Sequence, residues 1–566
     1  MKRSILSLSA AVALGGLGFA GSANALSYFG PAPNGSHTVP SAVVPNPAVF
    51  LAQHAAGTGH MLLTPYFTAQ GSMGTLVTIT NTDMQNGKAV KVRFRSATNS
   101  DDVLDFTLFL SPGDVWSAQI TRGDNEHAVI STPDKSCTIP EAAEWPGVFR
   151  TERLAEYLSA SVLAQHTREG YVEVLNMADI PPTLRSDGQG TVNAGVKKDQ
   201  TNKVFTAIKH VKGVAPCTST AFADLLDDTI HLANGAQAEG YGLAGPTGGL
   251  MGTFSLFNQE QLASFGGNMT AIVASRNGWG PNQTLTSDQG FIAFAPQIET
   301  PIANQPTVLR TTADPMLRSA VAVDPLWYDL PDMSTPLATN YANDPLLQAM
   351  VLSNTMTKAA VFNDYVATAA GAAVPMDTDW VVSQPTRRYH AVVEYGDSAA
   401  NADIRWNINM ADGSAADTTT VVRAAVLDVA GGAIANAGNV YKPLAIQQGP
   451  FGPQGCVTLR FSSADREESF STAGGGFSPG QSNPFCGEVF TAQFSGNSVL
   501  QAAVTKRALT PVGQAGWARL TTTTGATGAH TLPVLGFAAT SIKNTETGGN
   551  FGVTTPHRWV GLDQIP

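Results

Sequence analysis

Two glycine-rich motifs match catalytic signatures, but neither has the sequence context that its chemistry requires. Residues 476–480 read Gly-Phe-Ser-Pro-Gly and match the nucleophile elbow of serine hydrolases. That elbow uses the backbone N–H after the serine as an oxyanion donor, and Pro479 has no N–H. Residues 240–245 match the dinucleotide-binding pattern, but Pro246 stands where a helix should begin. These mismatches predict that the protein is not an enzyme.

A cluster of oxygen-bearing side chains is the candidate metal site. Asn99, Asp101, Asp102 and Asp105 lie close together at a predicted turn, and hard oxygen ligands are those that Ca²⁺ prefers. The spacing matches neither the EF-hand loop nor a calcium-binding repeat. Asp and Asn also favour turns through their own side-chain hydrogen bonds, which is the competing interpretation. Calcium is therefore the one cofactor that the sequence suggests.

Four cysteines indicate an oxidising compartment. They are Cys137, Cys217, Cys456 and Cys486. None forms a C-x-x-C motif, so neither zinc binding nor thiol redox chemistry is expected. We favour the pairs Cys137–Cys217 and Cys456–Cys486, because each pair then lies within one half of the chain. The other pairings and four free thiols are the alternatives.

The N-terminus has the parts of an export signal. Lys2 and Arg3 give it a positive start, and an apolar stretch over residues 5–19 follows. Residues 23–25, Ala-Asn-Ala, supply the small side chains that a signal peptidase requires. We predict cleavage near Ala25 and a secreted or cell-surface location, with an N-terminal membrane helix as the alternative. No later stretch is long and apolar enough to predict a transmembrane span.

The composition excludes some classes of partner. Of the 566 residues 14% are charged, with 33 Lys and Arg against 44 Asp and Glu, and the net charge is −11. A nucleic-acid-binding protein needs a basic stripe to neutralise phosphates, so no nucleic-acid partner is expected. A hydrophobic content of 43% argues against a disordered chain. The length is sufficient for several domains with buried cores.

Most of the chain has the pattern of β-strands. Short β-branched or aromatic runs at 61–69, 74–79, 89–96, 103–110 and 115–120 alternate with turn residues. Such spacing is typical of antiparallel sandwiches. We predict a mainly β protein with two or more antiparallel β-sandwich domains, Ig-like or jelly-roll in type, and a few short helices.

One predicted strand carries a row of basic residues. In residues 88–95 apolar and basic side chains alternate, so Lys91, Arg93 and Arg95 share one face. We interpret this face as solvent-exposed and opposite the carboxylates of residues 101–105. A site for an anionic ligand is the alternative.

Helices are a minority, and Pro-rich passages separate the predicted domains. We predict helices over 151–166, 218–226 and 346–366 from their apolar spacing and start signals. The predicted domains are a signal peptide (1–25), a Pro-rich N-terminal arm (26–58), a first β-sandwich domain with a helical insertion (59–295), a Pro-rich connection plus helix (296–375) and a second β-sandwich domain (376–566).

Several segments together resemble a known family. They include Gly-Thr-Leu-Val-Thr-Ile-Thr-Asn-Thr-Asp at 74–83, Gly-Lys-Ala-Val-Lys-Val-Arg-Phe-Arg at 87–95, Ser-Pro-Gly-Asp-Val-Trp at 111–116 and Leu-Pro-Val-Leu-Gly-Phe at 532–537. The combination resembles the exported, surface-layer-like cell-surface proteins of Gram-negative bacteria. The resemblance implies β-rich domains, secretion and a structural role, and it brings no catalytic motif. The cysteines are a departure, since many surface-layer proteins have none.

Three functional hypotheses follow. The first is an exported, non-enzymatic structural protein of the bacterial cell surface that self-associates into a homo-oligomer, a surface layer (S-layer) or another extracellular assembly. The 26–58 arm would add a strand to a neighbouring subunit, so deleting it should abolish oligomers. The second is a secreted β-sandwich protein that binds a cell-envelope glycan, lipopolysaccharide or another ligand through Trp116, Trp279, Trp406 or Trp517. The third is a secreted carboxylate-based hydrolase.

Overall fold

The computed structural model describes part of the chain, and the strands and helices below lie within it. The described residues are 28–29, 50–139, 141–142, 148–184, 201–225, 231–232, 241–275, 292–293, 333, 352–368, 371–389, 391–406, 444–470, 481–522, 532–544 and 549–560. The helices are α1 (Ala160–His166), α2 (Lys203–Ile208) and α3 (Ser219–Phe222), and residues 352–355, within the helix predicted over 346–366, are helical as well. None of the helices in these ranges is long and apolar enough to cross a membrane.

The strands make the protein mainly β. In chain order they are β1 (Tyr28–Phe29), β2 (Phe50–Gln53), β3 (Thr58–Gly59), β4 (Met61–Thr68), β5 (Met73–Asn81), β6 (Gly87–Ser96), β7 (Asp102–Leu110), β8 (Val115–Arg122), β9 (Ala128–Ser131), β10 (Cys137–Ile139), β11 (Glu169–Ile180), β12 (His231–Leu232), β13 (Leu250–Asn258), β14 (Ser264–Asn268), β15 (Thr270–Ser275) and β16 (Ile292–Ala293). The second half continues with β17 (Thr357–Lys358), β18 (Ala360–Val366), β19 (Met376–Ser383), β20 (Ala391–Glu394), β21 (Asp403–Trp406), β22 (Leu444–Gly449), β23 (Gly452–Asp465), β24 (Gln481–Cys486), β25 (Val489–Gln493), β26 (Lys506–Ala508), β27 (Ala515–Thr522), β28 (Leu532–Pro533), β29 (Leu535–Lys543), β30 (Asn550–Pro556) and β31 (Arg558–Val560).

The first sandwich is built from two sheets. Sheet A has the order β10-β7-β6-β11-β4-β15-β2, and sheet B has the order β14-β13-β5-β8-β9 with β3 beside β13. Apolar side chains at every second position of these strands fill the space between the sheets, because neighbours along a strand point to opposite faces. Phe94, Phe106 and Trp116 belong to this core. The strands predicted over residues 61–120 are confirmed, and each matches β4 to β8 closely.

The second sandwich has the same plan. Sheet C has the order β22-β23-β27-β18-β31 with β24 beside β23, and sheet D has the order β26-β25-β19-β29-β30. Their shared core includes Trp380, Phe461, Phe490 and Phe494. Almost all strand pairs in the four sheets are antiparallel, and β25 with β26 is a parallel exception. The predicted mainly β class with antiparallel sandwiches is therefore confirmed.

Strands β19, β25 and β29 of sheet D contribute side chains to a core on each face of the sheet, and the second face packs on the first sandwich. Phe537 and Ala539 of β29 point away from the sheet C core and join a cluster with Tyr66 and Phe254 of the first sandwich. The ring centroids of Phe254 and Phe537 are 5.5 Å apart. An apolar interface of this kind favours one relative orientation of the two sandwiches.

Two segments depart from the sequence expectations. The helix predicted over 346–366 is wrong in its second part, because residues 360–366 form β18 between β27 and β31 of sheet C. Val361 and Tyr365 enter the core; their spacing of four residues is compatible with helix and strand alike. Within the predicted arm, β1 pairs with β12 and β16, and β2 pairs with β15, all inside the same chain.

Candidate functional site

The basic row of β6 is buried. Lys91, Arg93 and Arg95 are each 0% exposed, so the prediction of a solvent-exposed face is wrong. They lie on the side of sheet A that faces away from its apolar core, because they alternate with Val92 and Phe94. A buried ion without a partner costs several kcal/mol of stability, so this row requires internal counterions.

Two carboxylates from β7 supply part of that charge. Nε of Arg93 lies 2.7 Å from Oδ2 of Asp102, and Nη2 of Arg93 lies 3.0 Å from Oδ2 of Asp105. Nζ of Lys91 lies 3.2 Å from the same Asp105 oxygen. Burial lowers the pKa of Lys91, and the Asp105 carboxylate opposes that shift. The predicted opposition of the basic row to these two carboxylates is confirmed.

Glu173 connects the row to the second half of the chain. It lies on β11 directly opposite Arg93. Its Oε2 is 3.3 Å from Nε of Arg95, and its Oε1 is 3.4 Å from Nη2 of Arg388. Arg388 belongs to a 3-10 turn after β19, and its guanidinium lies 4.1 Å from the ring centroid of Tyr389. One carboxylate therefore joins charged groups from both sandwiches.

The neighbouring Arg387 makes a second connection between the halves. Its Nη1 donates to the carbonyls of Gly455 and Gly487 at 2.8 Å each, and its Nη2 donates to the carbonyl of Thr98 at 3.1 Å. Its Nε lies 3.5 Å from Oε1 of Glu488. Burial raises the pKa of Glu488 to about 7, against the opposing effect of Arg387. Arg387 therefore contacts the first sandwich through the backbone of Thr98, and Arg388 contacts it through the side chain of Glu173.

Asn99 and Asp101 form the third connection. Nδ2 of Asn99 donates to the Tyr395 hydroxyl at 3.2 Å and to the carbonyl of Pro453 at 2.9 Å. The Tyr395 hydroxyl donates to Asp101. Burial raises the pKa of Asp101 well above its usual value. These contacts join the turn between β6 and β7 to the second half of the chain.

The four candidate calcium ligands are therefore divided between two sets of protein partners. Asp102 and Asp105 are paired with Arg93, whereas Asn99 and Asp101 contact Tyr395. Within the described ranges, no group of three or more His, Cys, Asp or Glu side chains is arranged to hold a metal ion. Calcium binding by these residues stays a prediction from the sequence.

The connected side chains form what we call the interdomain network. Its members are Lys91, Arg93, Arg95, Asn99, Asp101, Asp102, Asp105, Glu173, Arg387, Arg388, Tyr395 and Glu488. Each charged member is at most 2% exposed. A closed network of this kind offers no access to a substrate, but it fixes two surfaces relative to each other. Sequence reasoning missed Arg387 and Arg388, although two adjacent arginines are conspicuous in a chain with so few charges.

The tryptophans proposed for glycan binding have different environments. Trp116 is 1% exposed in the first core and is not available to a ligand, whereas Trp517 on β27 is 44% exposed. Trp406 ends β21, and Trp279 lies outside the described residues, as does the motif at 476–480. In the second glycine motif, Gly242 has a φ of 86° in a turn, which is not the start of a helix.

Both favoured cysteine pairs are confirmed as disulfides. Cys137 and Cys217 have Cα atoms 5.3 Å apart, and Cys456 and Cys486 have Cα atoms 4.0 Å apart. The second pair links directly opposite residues of β23 and β24. Each disulfide lies within one half of the chain, so neither one joins the two sandwiches.

Comparisons with protein-family models, with curated proteins and with solved structures found no match.

Proposed function

We propose that this is an exported, non-enzymatic structural protein of the bacterial cell surface that self-associates into a surface layer or another extracellular assembly. The predicted signal peptide and the two disulfides favour export to an oxidising compartment. The interdomain network and the apolar contact of sheet D favour a rigid two-sandwich unit, which suits a regular assembly.

The observation that carries the proposal is the uncharged edge strand β30. It is the last strand of sheet D in the described part of the chain, and its sequence is Asn-Phe-Gly-Val-Thr-Thr-Pro. Phe551 and Val553 on this strand are 60% and 45% exposed. Edge strands are usually protected by charges, bulges or cover, because their free backbone groups pair with other chains. Gly552 and Thr554 of β30 contact β14 of the first sandwich, whereas Phe551 and Val553 leave the other side of the strand apolar, uncharged and suited to contact with a second copy.

Residues of the first sandwich lie beside β30. Nδ2 of Asn550 donates to the carbonyl of Gln261 at 2.7 Å, and the adjacent Leu262 is 82% exposed. The backbone N–H of Gly266 donates to Oγ1 of Thr554 at 3.0 Å. Apolar side chains from both halves thus lie near one edge, which makes it the contact region that we propose for assembly.

The test places a charge on this edge. Val553→Lys should shift the purified protein from assemblies to monomers in sedimentation velocity and negative-stain electron microscopy, because a lysine blocks edge-to-edge pairing. Val214→Lys is the matched control, since Val214 is 51% exposed in a turn of the first half. Normal assembly of the Val553→Lys protein, with a wild-type unfolding temperature, would contradict the proposal.

A further inference from the structure

The outer face of sheet C carries exposed aromatic and cationic side chains. Alternate residues of β18, β23 and β27 fill the sheet C–sheet D core, so the intervening residues share the opposite face. Arg519 and Arg558 each lie opposite Phe362, and Trp517 lies opposite Asp364. We call this the sheet C face. Its large side chains are Phe362, Asp364, Arg460, Trp517, Arg519 and Arg558.

In the part of the chain that the structure describes, the arginines on the sheet C face lack acidic partners. Within the described ranges, no ion pair or side-chain hydrogen bond engages Arg460, Arg519 or Arg558, and Asp364 is the one acid among the large side chains of the face. The Nε atoms of Arg460 and Arg519 are shielded from solvent and have no hydrogen-bond partner. This differs from the interdomain network, where buried arginines are paired. Since the whole chain carries a net charge of −11, this is a locally positive face on an acidic protein.

The three arginines are close enough to act together. Arg460 lies opposite Thr521, and Arg519 lies opposite Ser462 on the adjacent strand, so these two are diagonal neighbours. Diagonal neighbours in a sheet are roughly 7–8 Å apart. Arg558 is two strands from Arg519, about 10 Å away at the usual strand spacing. Trp517, on the same strand as Arg519, presents its exposed ring beside them.

We propose that the sheet C face binds an acidic polysaccharide whose sugar units carry carboxylate groups. The arginine guanidinium is planar and matches a carboxylate with two parallel hydrogen bonds. The indole of Trp517 offers a flat apolar surface for the C–H side of a sugar ring, with its polar N–H at the rim. An extended sheet face with several separated cations suits a polymer that repeats its charge.

A second copy of the chain fits this face less well. The cores of protein–protein contacts are depleted in charged residues, and three arginines without an acidic partner among the described residues would require matching acids from the second copy. A carboxylated polysaccharide supplies those acids and leaves its other groups in water. The proposal goes beyond the structural role above and involves a different surface from β30.

The experiment uses alginate, a carboxylated polysaccharide, as the probe. Isothermal titration calorimetry would compare short alginate oligosaccharides with neutral dextran oligosaccharides of the same length on the purified protein. We expect alginate to bind at least tenfold more tightly than dextran. The double variant Arg460→Gln/Arg519→Gln should weaken alginate binding by at least about tenfold, since each charge-assisted contact contributes substantially. Trp517→Ala should weaken it by about the same factor.

The matched control removes two positive charges elsewhere. Lys209→Gln/Lys506→Gln changes two exposed lysines outside the sheet C face and should leave the affinity for alginate within about twofold of the wild type, because contacts and not net charge determine it. Circular dichroism confirms that each variant is folded. If the double arginine variant does not fold, Arg558→Gln at the exposed edge serves instead, with an expected loss of at least about threefold.

Three results would overturn the proposal. The first is that the wild type binds neither oligosaccharide or binds dextran as tightly as alginate. The second is that the arginine variant keeps its affinity for alginate. The third is that the wild type does not bind alginate and the double arginine variant no longer self-associates. The sheet C face would then be a contact between copies of the chain. The Val553→Lys variant is tested by its self-association and not by alginate binding, so failure of the β30 proposal and failure of the polysaccharide proposal can be distinguished.

Discussion

Nη2 of Arg388 lies 3.4 Å from Oε1 of Glu173, and both side chains are completely buried although they are 215 residues apart. Glu173 belongs to a strand of the first sandwich, and Arg388 belongs to a turn of the second. The pair therefore exists only when the two sandwiches are docked. Docking adds the Arg388 guanidinium to a basic row whose paired carboxylates, Asp102, Asp105 and Glu173, all belong to the first sandwich.

Arg388→Met should destabilise the protein strongly. Removing the guanidinium leaves part of the Glu173 carboxylate buried with less counter-charge, and breaking a buried pair in this way costs about 3–5 kcal/mol. The free energy of unfolding, measured by urea titration, should fall by that amount.

The matched control for this change is an exposed pair. Arg122 and Glu126 are 40% and 52% exposed and pair at i, i+4 in the first sandwich. Arg122→Met should change the stability little, because solvent screens exposed pairs. Equal effects of Arg388→Met and Arg122→Met would show that burial of the Arg388–Glu173 pair has no energetic consequence.

The buried Asp379 predicts a decrease of stability as pH rises. Oδ2 of Asp379 accepts hydrogen bonds from Ser498 Oγ and from the backbone N–H of Leu500. Burial nevertheless raises the pKa of Asp379 from 3.8 to about 7. Between these values the unfolded chain releases a proton that the folded protein keeps. The contribution of Asp379 to stability is therefore fully present below about pH 4 and is lost progressively up to about pH 7, by about 4 kcal/mol at most.

Asp379→Asn isolates this contribution. The difference in free energy of unfolding between variant and wild type should shift in favour of the variant between pH 4.5 and 7 and remain constant above it. Asp124→Asn, at an exposed turn of the first sandwich, is the control for replacing a carboxyl by an amide where solvent screens the charge. A pH-independent difference for Asp379→Asn would contradict the raised pKa.

The two disulfides should contribute unequally. Cys137–Cys217 closes a span of 80 residues and Cys456–Cys486 one of 30. If restriction of the unfolded chain dominates, replacing both cysteines of a pair by serine should cost about 4–5 kcal/mol for the longer loop and about 3–4 kcal/mol for the shorter one. Urea titrations of the two double variants measure this, and the reverse order would show that native-state packing dominates.

Gly170 marks a close approach of two strands in sheet A. A Cβ at this position would lie 1.7 Å from the carbonyl oxygen of Arg95, and the β11–β4 register shifts just after it. Gly170→Ala should destabilise the protein by roughly 2 kcal/mol or more, because the backbone must move. Gly449→Ala is the control, since its Cβ would meet nothing within 4 Å, and its effect should stay below about 1 kcal/mol. Thermal unfolding of both variants distinguishes the two sites.

Much of the first sandwich is predictable from local pattern. Alternation in residues 88–95 places Val92 in the core and Arg93 on the other face, and the structure agrees. The same kind of local reasoning fails for Val361 and Tyr365, because a spacing of four residues fits a helix as well as a strand. Residues 360–366 are a strand because β18 pairs with β27 and β31, which are distant in the sequence.

The candidate sites were less predictable than the strands. Trp116 and Trp517 are equivalent in a sequence, yet one lies in a core and the other is exposed. Similarly, Asp101 and Asp102 are adjacent in the chain, but one contacts Tyr395 and the other Arg93. Asp101 lies in the turn between β6 and β7 whereas Asp102 begins β7, and the partner of Asp101 comes from a distant segment of the chain.

The sequence by itself determined the mainly β class and the strands over residues 61–120, because alternation and turn chemistry are local properties. It favoured the pairing of cysteines within each half, and the structure decided that pairing. Only the tertiary structure decided that the basic row of β6 is buried, that Arg388 pairs with Glu173 and that Arg460 and Arg519 have no acidic partner among the described residues. The reason is physical: the free energy of a charge depends on its solvent exposure and counterions, and here these are set by segments far away in the chain.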